Sequence, residues 1–158
     1  MRRLLLFVCI VASVFVAMPL RSLSTEGVSN KPLGREVSTV LKTLTVYNPI
    51  KNQCDNSPFI TASNKRIDKD KLYRQEIKWM AVSRDLLKRW KGEFNYGDTV
   101  ILTAGDKAID GQWVIYDNMN KRYKKRGDLL FDSRVRTLGK WKDVKIAKRV
   151  PYKSLQVN

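Results

Sequence analysis

The sequence predicts a mainly β protein, a small six-stranded barrel with one or two short helices behind an N-terminal signal segment. Six short segments rich in β-branched and aromatic residues alternate with Gly, Pro, Asn and Asp over about 110 residues. A series of short strands in so small a domain favours a closed barrel over a sandwich. The first 24 residues have the charge and hydropathy pattern of an export signal.

The N-terminal segment contains the features of an export signal in their usual order. Arg2 and Arg3 give it a positive start, and residues 4–18 form an almost wholly apolar run. Ser22 and Ser24 then provide the small residues of a cleavage site. The run is shorter than the roughly 20 residues that a membrane-spanning helix needs. A secreted, periplasmic or envelope location is therefore predicted.

Three regions follow from this organisation: a signal peptide over residues 1–24, a linker over 25–37 and the barrel domain over 38–158. The linker is polar and contains Gly27 and Pro32, which is typical of a mobile arm. If the signal were not cleaved, it would keep the chain at the membrane.

Turn residues bound the predicted strands. Asn48 and Pro49 end the first strand, and Gly105 follows the third. The six predicted strands are Leu41–Tyr47, Lys78–Val82, Asp98–Thr103, Gln112–Asp117, Gly127–Asp132 and Asp143–Ala147.

Two short helices are predicted between the strands. Ser83 has the character of an N-cap, and the spacing of Leu86, Leu87 and Trp90 gives an apolar stripe that stops near Gly92. A second helix is expected over Ser133–Leu138, closed by Gly139.

The chain is strongly basic, with a formal net charge of +16. Thirteen Lys or Arg residues lie between Lys121 and Lys153, against three aspartates. Such a field attracts polyanions, including nucleic acid, anionic lipid and acidic wall polymers. Export makes nucleic acid the least favoured partner, so an anionic polymer of the cell envelope is expected. A solvated basic surface is the alternative.

Histidine is absent from the sequence. Its absence excludes Ser-His-Asp catalysis, Cys-His catalysis and histidine-ligated zinc. Carboxylates must therefore supply any acid–base chemistry. No cofactor is expected, and no metal site either, because the aspartates lack EF-hand spacing and many cations lie nearby.

Asp117 closes one predicted strand and Asp128 opens the next, eleven positions later. A loop of that length can bring the two strand ends together. Two carboxyl groups in one pocket cannot both ionise freely, so one becomes a general acid at neutral pH. The basic residues between them, including Lys121 and Arg122, would hold an anionic ligand over the pair. The alternative is that the aspartates accept hydrogen bonds from turn amides and that the basic residues form a solvated loop.

A series of motifs over about two-thirds of the chain resembles the three-aspartate domain family. They are Thr45–Tyr47, Pro58–Ser63, Met80–Val82, Tyr96–Ile101 and the Asp117–Asp128 pair. This family has a double-psi β-barrel and is related to the catalytic barrel of membrane-bound lytic transglycosylase A. In it, too, two aspartates lie eleven positions apart. Ser83 stands where the family has its earliest aspartate, and Asn118-Met119 replaces a glycine pair.

The resemblance implies a lytic-transglycosylase-like enzyme that acts on peptidoglycan. It implies that Asp128 protonates the bond between N-acetylmuramic acid and N-acetylglucosamine, and that Asp117 assists. Tyr47, Thr61 and Asn118 would bind the glycan. The rival hypothesis is a non-catalytic glycan-binding or envelope-associated module, which Ser83 at a family aspartate position favours. A third hypothesis is an adaptor that binds acidic polymers or lipid headgroups through its basic face.

Overall fold

Strands dominate the computed structural model, which describes residues 34–50, 57–135, 137 and 139–151. Predictions for the signal peptide at 1–24, and for linker residues 25–33, fall outside the described residues. The described part has seven strands, one short α-helix and two 3-10 helices. In chain order they are β1 (Arg35–Leu41), β2 (Thr43–Tyr47), α1 (Lys69–Tyr73), β3 (Trp79–Val82), the 3-10 helices Arg84–Leu86 and Lys88–Trp90, β4 (Thr99–Thr103), β5 (Gly111–Asn118), β6 (Arg126–Leu130) and β7 (Val144–Val150).

All seven strands belong to one mixed sheet, in the order β1-β7-β4-β5-β3-β6-β2. Two parallel pairs, β2 with β6 and β3 with β5, flank the antiparallel pair of β3 with β6. The remaining neighbours, β1 with β7, β7 with β4 and β4 with β5, are antiparallel. Strands β3, β5 and β6 therefore lie side by side, and the ends of β3 and β5 meet the start of β6 at one edge.

The mainly β class is confirmed, but the predicted number of six strands is wrong. Each predicted strand is present, and β1 is additional. It was missed because Pro32 and Gly34 gave its approach the character of a linker. Val37 and Leu41 nevertheless face the core from β1, while the exposed residues Glu36, Ser38 and Val40 alternate with them on the outer side.

The pairing of the strands leaves β1 and β2 at the two edges, so the sheet is not closed as predicted. Backbone hydrogen bonds nevertheless link β2 to the segment that precedes β7. The Leu44 N–H donates to the Trp141 carbonyl and the Trp141 N–H donates to the Leu44 carbonyl, both at 2.9 Å.

The helix predicted after Ser83 is wrong. Two 3-10 helices occur there, separated by Leu87 in an extended conformation. Leu86 and Leu87 are both buried although they are adjacent, and Leu87 forms a bridge with buried Phe94. The extended conformation lets the Leu87 backbone pair with Phe94, which it could not do with its groups bonded inside a continuous helix.

The second predicted helix is also absent from the described residues: 133–135 form a turn, and Arg136 and Leu138 lie outside the described residues. The short helix α1 was missed. Its N-cap is Asp68, whose carboxylate accepts hydrogen bonds from the N–H groups of Asp70 and Lys71 at 3.0 Å. A helix of five residues is too short to show an apolar period.

The main core lies on one face of the sheet. It contains Leu41, Leu44, Met80, Val82, Val100, Leu102, Trp113, Ile115, Leu129, Val144 and Ile146. Gly127 packs into this core, where an added Cβ would lie 3.0–3.2 Å from the side chains of Leu41, Leu44 and Met80. A larger residue would therefore push β6 away from its neighbours, and Asp128 follows Gly127 directly.

Candidate active-site cleft

Four strands place one row of side chains across the face opposite the main core. Thr45 on β2 pairs with Asp128 on β6, Asp128 pairs with Ala81 on β3, and Ala81 pairs with Asp117 on β5. Residues paired directly across neighbouring strands point to the same face. The two aspartates thus flank a single alanine, whose small side chain leaves space between their carboxyl groups.

A β-bulge brings Asp117 into this row. The register of β3 with β5 shifts between Met80 and Ala81, so Met80 pairs with Ile115 but Ala81 pairs with Asp117. Tyr116 is the extra residue on β5. Bulges of this kind re-aim side chains, and here the bulge turns Asp117 away from the core that Ile115 helps to form.

Three donors hold the Asp117 carboxylate in place. Its Oδ1 accepts hydrogen bonds from the N–H groups of Ala62 at 3.0 Å and Asn118 at 2.8 Å, and its Oδ2 accepts one from the Tyr47 hydroxyl at 3.2 Å. Donors directed at a carboxylate stabilise its charged form. Asp117 is therefore equipped to act as a fixed negative charge.

The Asp128 carboxyl group has a different environment. It is partly buried between β2 and β3, and its Oδ1 accepts a hydrogen bond from the Thr45 hydroxyl. Burial raises the pKa of Asp128 from 3.8 to about 6, with a further increase from the nearby charge of Asp117 and an opposing effect of Arg126. Asp128 therefore retains a proton in part of the molecules near neutral pH, while three hydrogen-bond donors favour the charged form of Asp117.

We expect Thr45→Val to raise the pKa of Asp128 further, because the hydroxyl donates to the carboxylate and so favours its charged form. Valine keeps the shape of threonine and removes the donor. Titration of the Asp128 side chain by NMR in both proteins would measure the change. Thr99→Val, at an exposed position of β4, serves as the control. A pKa that stays the same or falls would show that Thr45 does not stabilise the ionised form.

Both aspartates line an open cleft of about 920 Å³ beside the loop that follows residue 57. Tyr47, Thr61, Asn118 and Arg122, four of the five predicted binding residues, line the same cleft. Lys121 does not line it and is exposed beside it.

The cleft-lining residues differ in how free their polar groups are. Thr61 is buried, and its hydroxyl accepts a hydrogen bond from the Lys65 N–H at 3.1 Å, which indicates a role in the turn. The side-chain Oδ1 of Asn118 accepts a hydrogen bond from the Tyr96 hydroxyl at 2.6 Å, which orients the side-chain amide. Burial, with a smaller effect of the Asp117 charge, raises the pKa of Tyr96, so it remains a donor.

A buried serine occupies the position at which the resemblance implies the earliest of three aspartates. Ser83 is fully buried, and its hydroxyl accepts a hydrogen bond from the Arg126 N–H at 3.0 Å, which joins the end of β3 to the start of β6. Asp85, the nearest carboxylate in sequence, accepts a hydrogen bond from the Lys125 N–H at 3.1 Å and does not line the cleft. The cleft therefore contains two of the three carboxylates that the resemblance implies.

Three residues outside the predicted set also shape the site: Thr45, Ala81 and Arg84. Thr45 lies two residues before Tyr47 on β2, so strand periodicity gives it the same face. The side chains that face Ala81 depend on the bulge, which has no signal in the sequence.

Within the described part of the chain, no three His, Cys, Asp or Glu side chains form a group that could hold a metal ion. No helix among these residues is long and apolar enough to cross a bilayer. The sequence matches no protein-family model, and a search of curated proteins finds no match.

Proposed function

We propose that this chain is an exported glycan-cleaving protein of the three-aspartate type, with Asp128 as general acid and then general base. The observation that carries the proposal is the position of Asp128, partly buried in an open cleft with a pKa raised to about 6. An ordinary aspartic acid is almost wholly ionised at neutral pH, whereas this one retains a proton in an appreciable fraction of molecules.

The proposed reaction cleaves the bond between N-acetylmuramic acid and N-acetylglucosamine in peptidoglycan. Asp128 gives its proton to the glycosidic oxygen as the bond to the anomeric carbon breaks. The C6 hydroxyl of the same muramic acid attacks that carbon, and the Asp128 carboxylate takes the hydroxyl proton. The products are a free N-acetylglucosamine end and a 1,6-anhydro sugar, and no water is consumed. Asp117 stabilises the positive charge that develops on the sugar ring.

The arrangement of strands supports a double-psi barrel as the scaffold. Parallel pairs lie on both sides of the antiparallel β3–β6 pair, so strands that are distant in sequence become neighbours. The bonds between Leu44 and Trp141 connect edge strand β2 to the segment before β7. They bring one edge strand next to the segment that leads into β7, the neighbour of the other edge strand, β1.

The charge of the chain supports an acidic polymer of the cell envelope as the partner. Lys121, Lys124 and Lys125 are exposed in the loop that joins β5 to β6, next to the cleft. Their field would concentrate an anionic polymer at the cleft. The N-terminal signal segment is the basis for placing the protein in the same compartment as that polymer.

Incubation of purified peptidoglycan with the protein, followed by mass spectrometry, tests the proposal. We expect fragments with 1,6-anhydromuramic acid ends, each lighter by one water than the corresponding hydrolysis product. Heat-denatured protein is the control. Fragments with hydrated ends would show hydrolysis instead, and would contradict the intramolecular attack.

A glycan-binding module without catalysis is the second candidate, and Ser83 favours it because this residue leaves the cleft without a third carboxylate. Binding of peptidoglycan with no released fragments would support this candidate over the enzyme.

A further inference from the structure

Arg84 is the most unusual polar residue in the described part of the chain. Arg84 lines the cleft. Among the described residues, its Nε is the one buried side-chain nitrogen or oxygen that lacks a hydrogen-bond partner. Buried donors are nearly always paired, since an unpaired one loses its bonds to water without replacement. The Nε has almost no accessible surface, so an acceptor on a ligand in the cleft would pair with it after the guanidinium group turns toward the cleft.

Its surroundings hold the Arg84 side chain in position. The guanidinium carbon lies 5.2 Å from the centre of the Trp90 ring, within the range of a cation–π contact. Ser83 anchors the backbone directly before it through its bond to Arg126. The Trp90 contact thus keeps the guanidinium group at the cleft wall before any ligand arrives.

A second arginine lines the same cleft. Arg122 lies in the loop between β5 and β6, with its guanidinium group hydrogen-bonded to the Tyr123 hydroxyl at 2.8 Å. Arg84 is the second residue after β3, at the end of the sheet where β5 ends and β6 begins. By strand geometry, Arg84 lies roughly 10 Å along the chain from Ala81, which separates the two aspartates.

We propose that Arg84 and Arg122 form a carboxylate-binding subsite beside the aspartate pair. This inference rests on the proposed function, because it takes the glycan as the ligand. Guanidinium groups bind carboxylates through two parallel hydrogen bonds. The carboxylate comes either from the lactyl group of a muramic acid without peptide or from an attached peptide. The subsite would direct the acid pair to glycan that carries a free carboxylate.

Calorimetric titration of Asp128→Asn protein, which cannot consume the ligand, tests the subsite. Three soluble glycan tetrasaccharides are compared: one without peptides, one with peptides, and one with peptides whose carboxylates have been converted to methylamides. We expect the methylamide form to bind roughly 10- to 100-fold more weakly than the better of the other two, the range for charge-assisted hydrogen bonds. Tighter binding of the peptide-free form would assign the lactyl carboxylate, and tighter binding of the peptide-bearing form would assign a peptide carboxylate.

Arg84→Gln and Arg122→Gln, made in the same background, should each remove most of this preference. Arg89→Gln is the matched control, because Arg89 also lies over the Trp90 ring, at 5.3 Å, but does not line the cleft. Thermal unfolding verifies that each variant is folded, and Arg122 is exposed in a loop, where its replacement spares the core. Equal binding of all three glycans, or a preference that survives both substitutions, would overturn the subsite. Fragment release by the wild-type protein is measured separately, so that a failure of the catalytic proposal can be distinguished from a failure of the subsite proposal.

Discussion

Asp128→Asn is expected to lower the rate of anhydromuropeptide release by about 10²- to 10⁴-fold, the range for the loss of a positioned proton donor. The amide keeps the shape of the carboxyl group and still accepts a hydrogen bond from Thr45. It cannot deliver a proton to the glycosidic oxygen. Asp117→Asn should reduce the rate less, because Asp117 stabilises charge and transfers no proton. Rates would be measured by quantifying anhydro ends over time.

Asp132→Asn is the control for this experiment. Asp132 lies beyond the end of β6 and does not line the cleft, and its carboxylate accepts hydrogen bonds from Arg134, including the backbone N–H at 2.9 Å. An amide oxygen preserves that backbone bond, so activity should change little. An Asp128→Asn protein that retains wild-type activity would exclude Asp128 as the general acid.

Asp128→Asn is also expected to stabilise the protein at neutral pH. A carboxyl group whose pKa is raised by folding from 3.8 to about 6 makes the folded state bind more protons than the unfolded state between these values. The free energy of unfolding therefore falls as pH rises through this window, by about 3 kcal/mol in total. Asparagine carries no such cost, so Asp128→Asn should exceed the wild type by up to about 3 kcal/mol above pH 6 and equal it below about pH 4.

Urea unfolding of both proteins across this pH range measures the difference. Asp132→Asn should show the opposite dependence, because its bonds to Arg134 lower the pKa of Asp132. The stability that Asp132 contributes is present at neutral pH and is lost as pH falls through its lowered pKa. A constant difference between Asp128→Asn and wild type at every pH would mean that the ionisation of Asp128 has no energetic cost.

Local patterns allowed much of the fold to be predicted from the sequence. Six strands stand between turn residues, and their alternation of buried and exposed residues is clear in Val100 and Leu102 of β4. The region after Ser83 was misassigned because the spacing of Leu86, Leu87 and Trp90 also fits a helix. Only the contact of Leu87 with Phe94 distinguishes the two, and that contact depends on the folded chain.

The candidate site was predictable in its carboxylates and less so in its surroundings. Asp117 and Asp128 stood out by their spacing and their places at strand ends. Thr45 and Ala81 acquire their importance from strand pairing, which joins residues far apart in sequence. Arg84 stood out only once the hydrogen-bond partners of buried atoms were known.

The bulge in β5 has a consequence for how such sites arise and are lost. Trp113, Ile115 and Asp117 occupy alternate positions, so an even count along β5 would place all three in the apolar interior. The extra residue, Tyr116, reverses that parity for Asp117 alone. A regular β5 that kept Tyr116 would leave both aspartates in the sequence and yet place their carboxylates on opposite faces of the sheet, whereas deletion of Tyr116 would keep Asp117 opposite Ala81. Among relatives of this chain, the register of β3 with β5 would therefore indicate a paired site better than the presence of its aspartates.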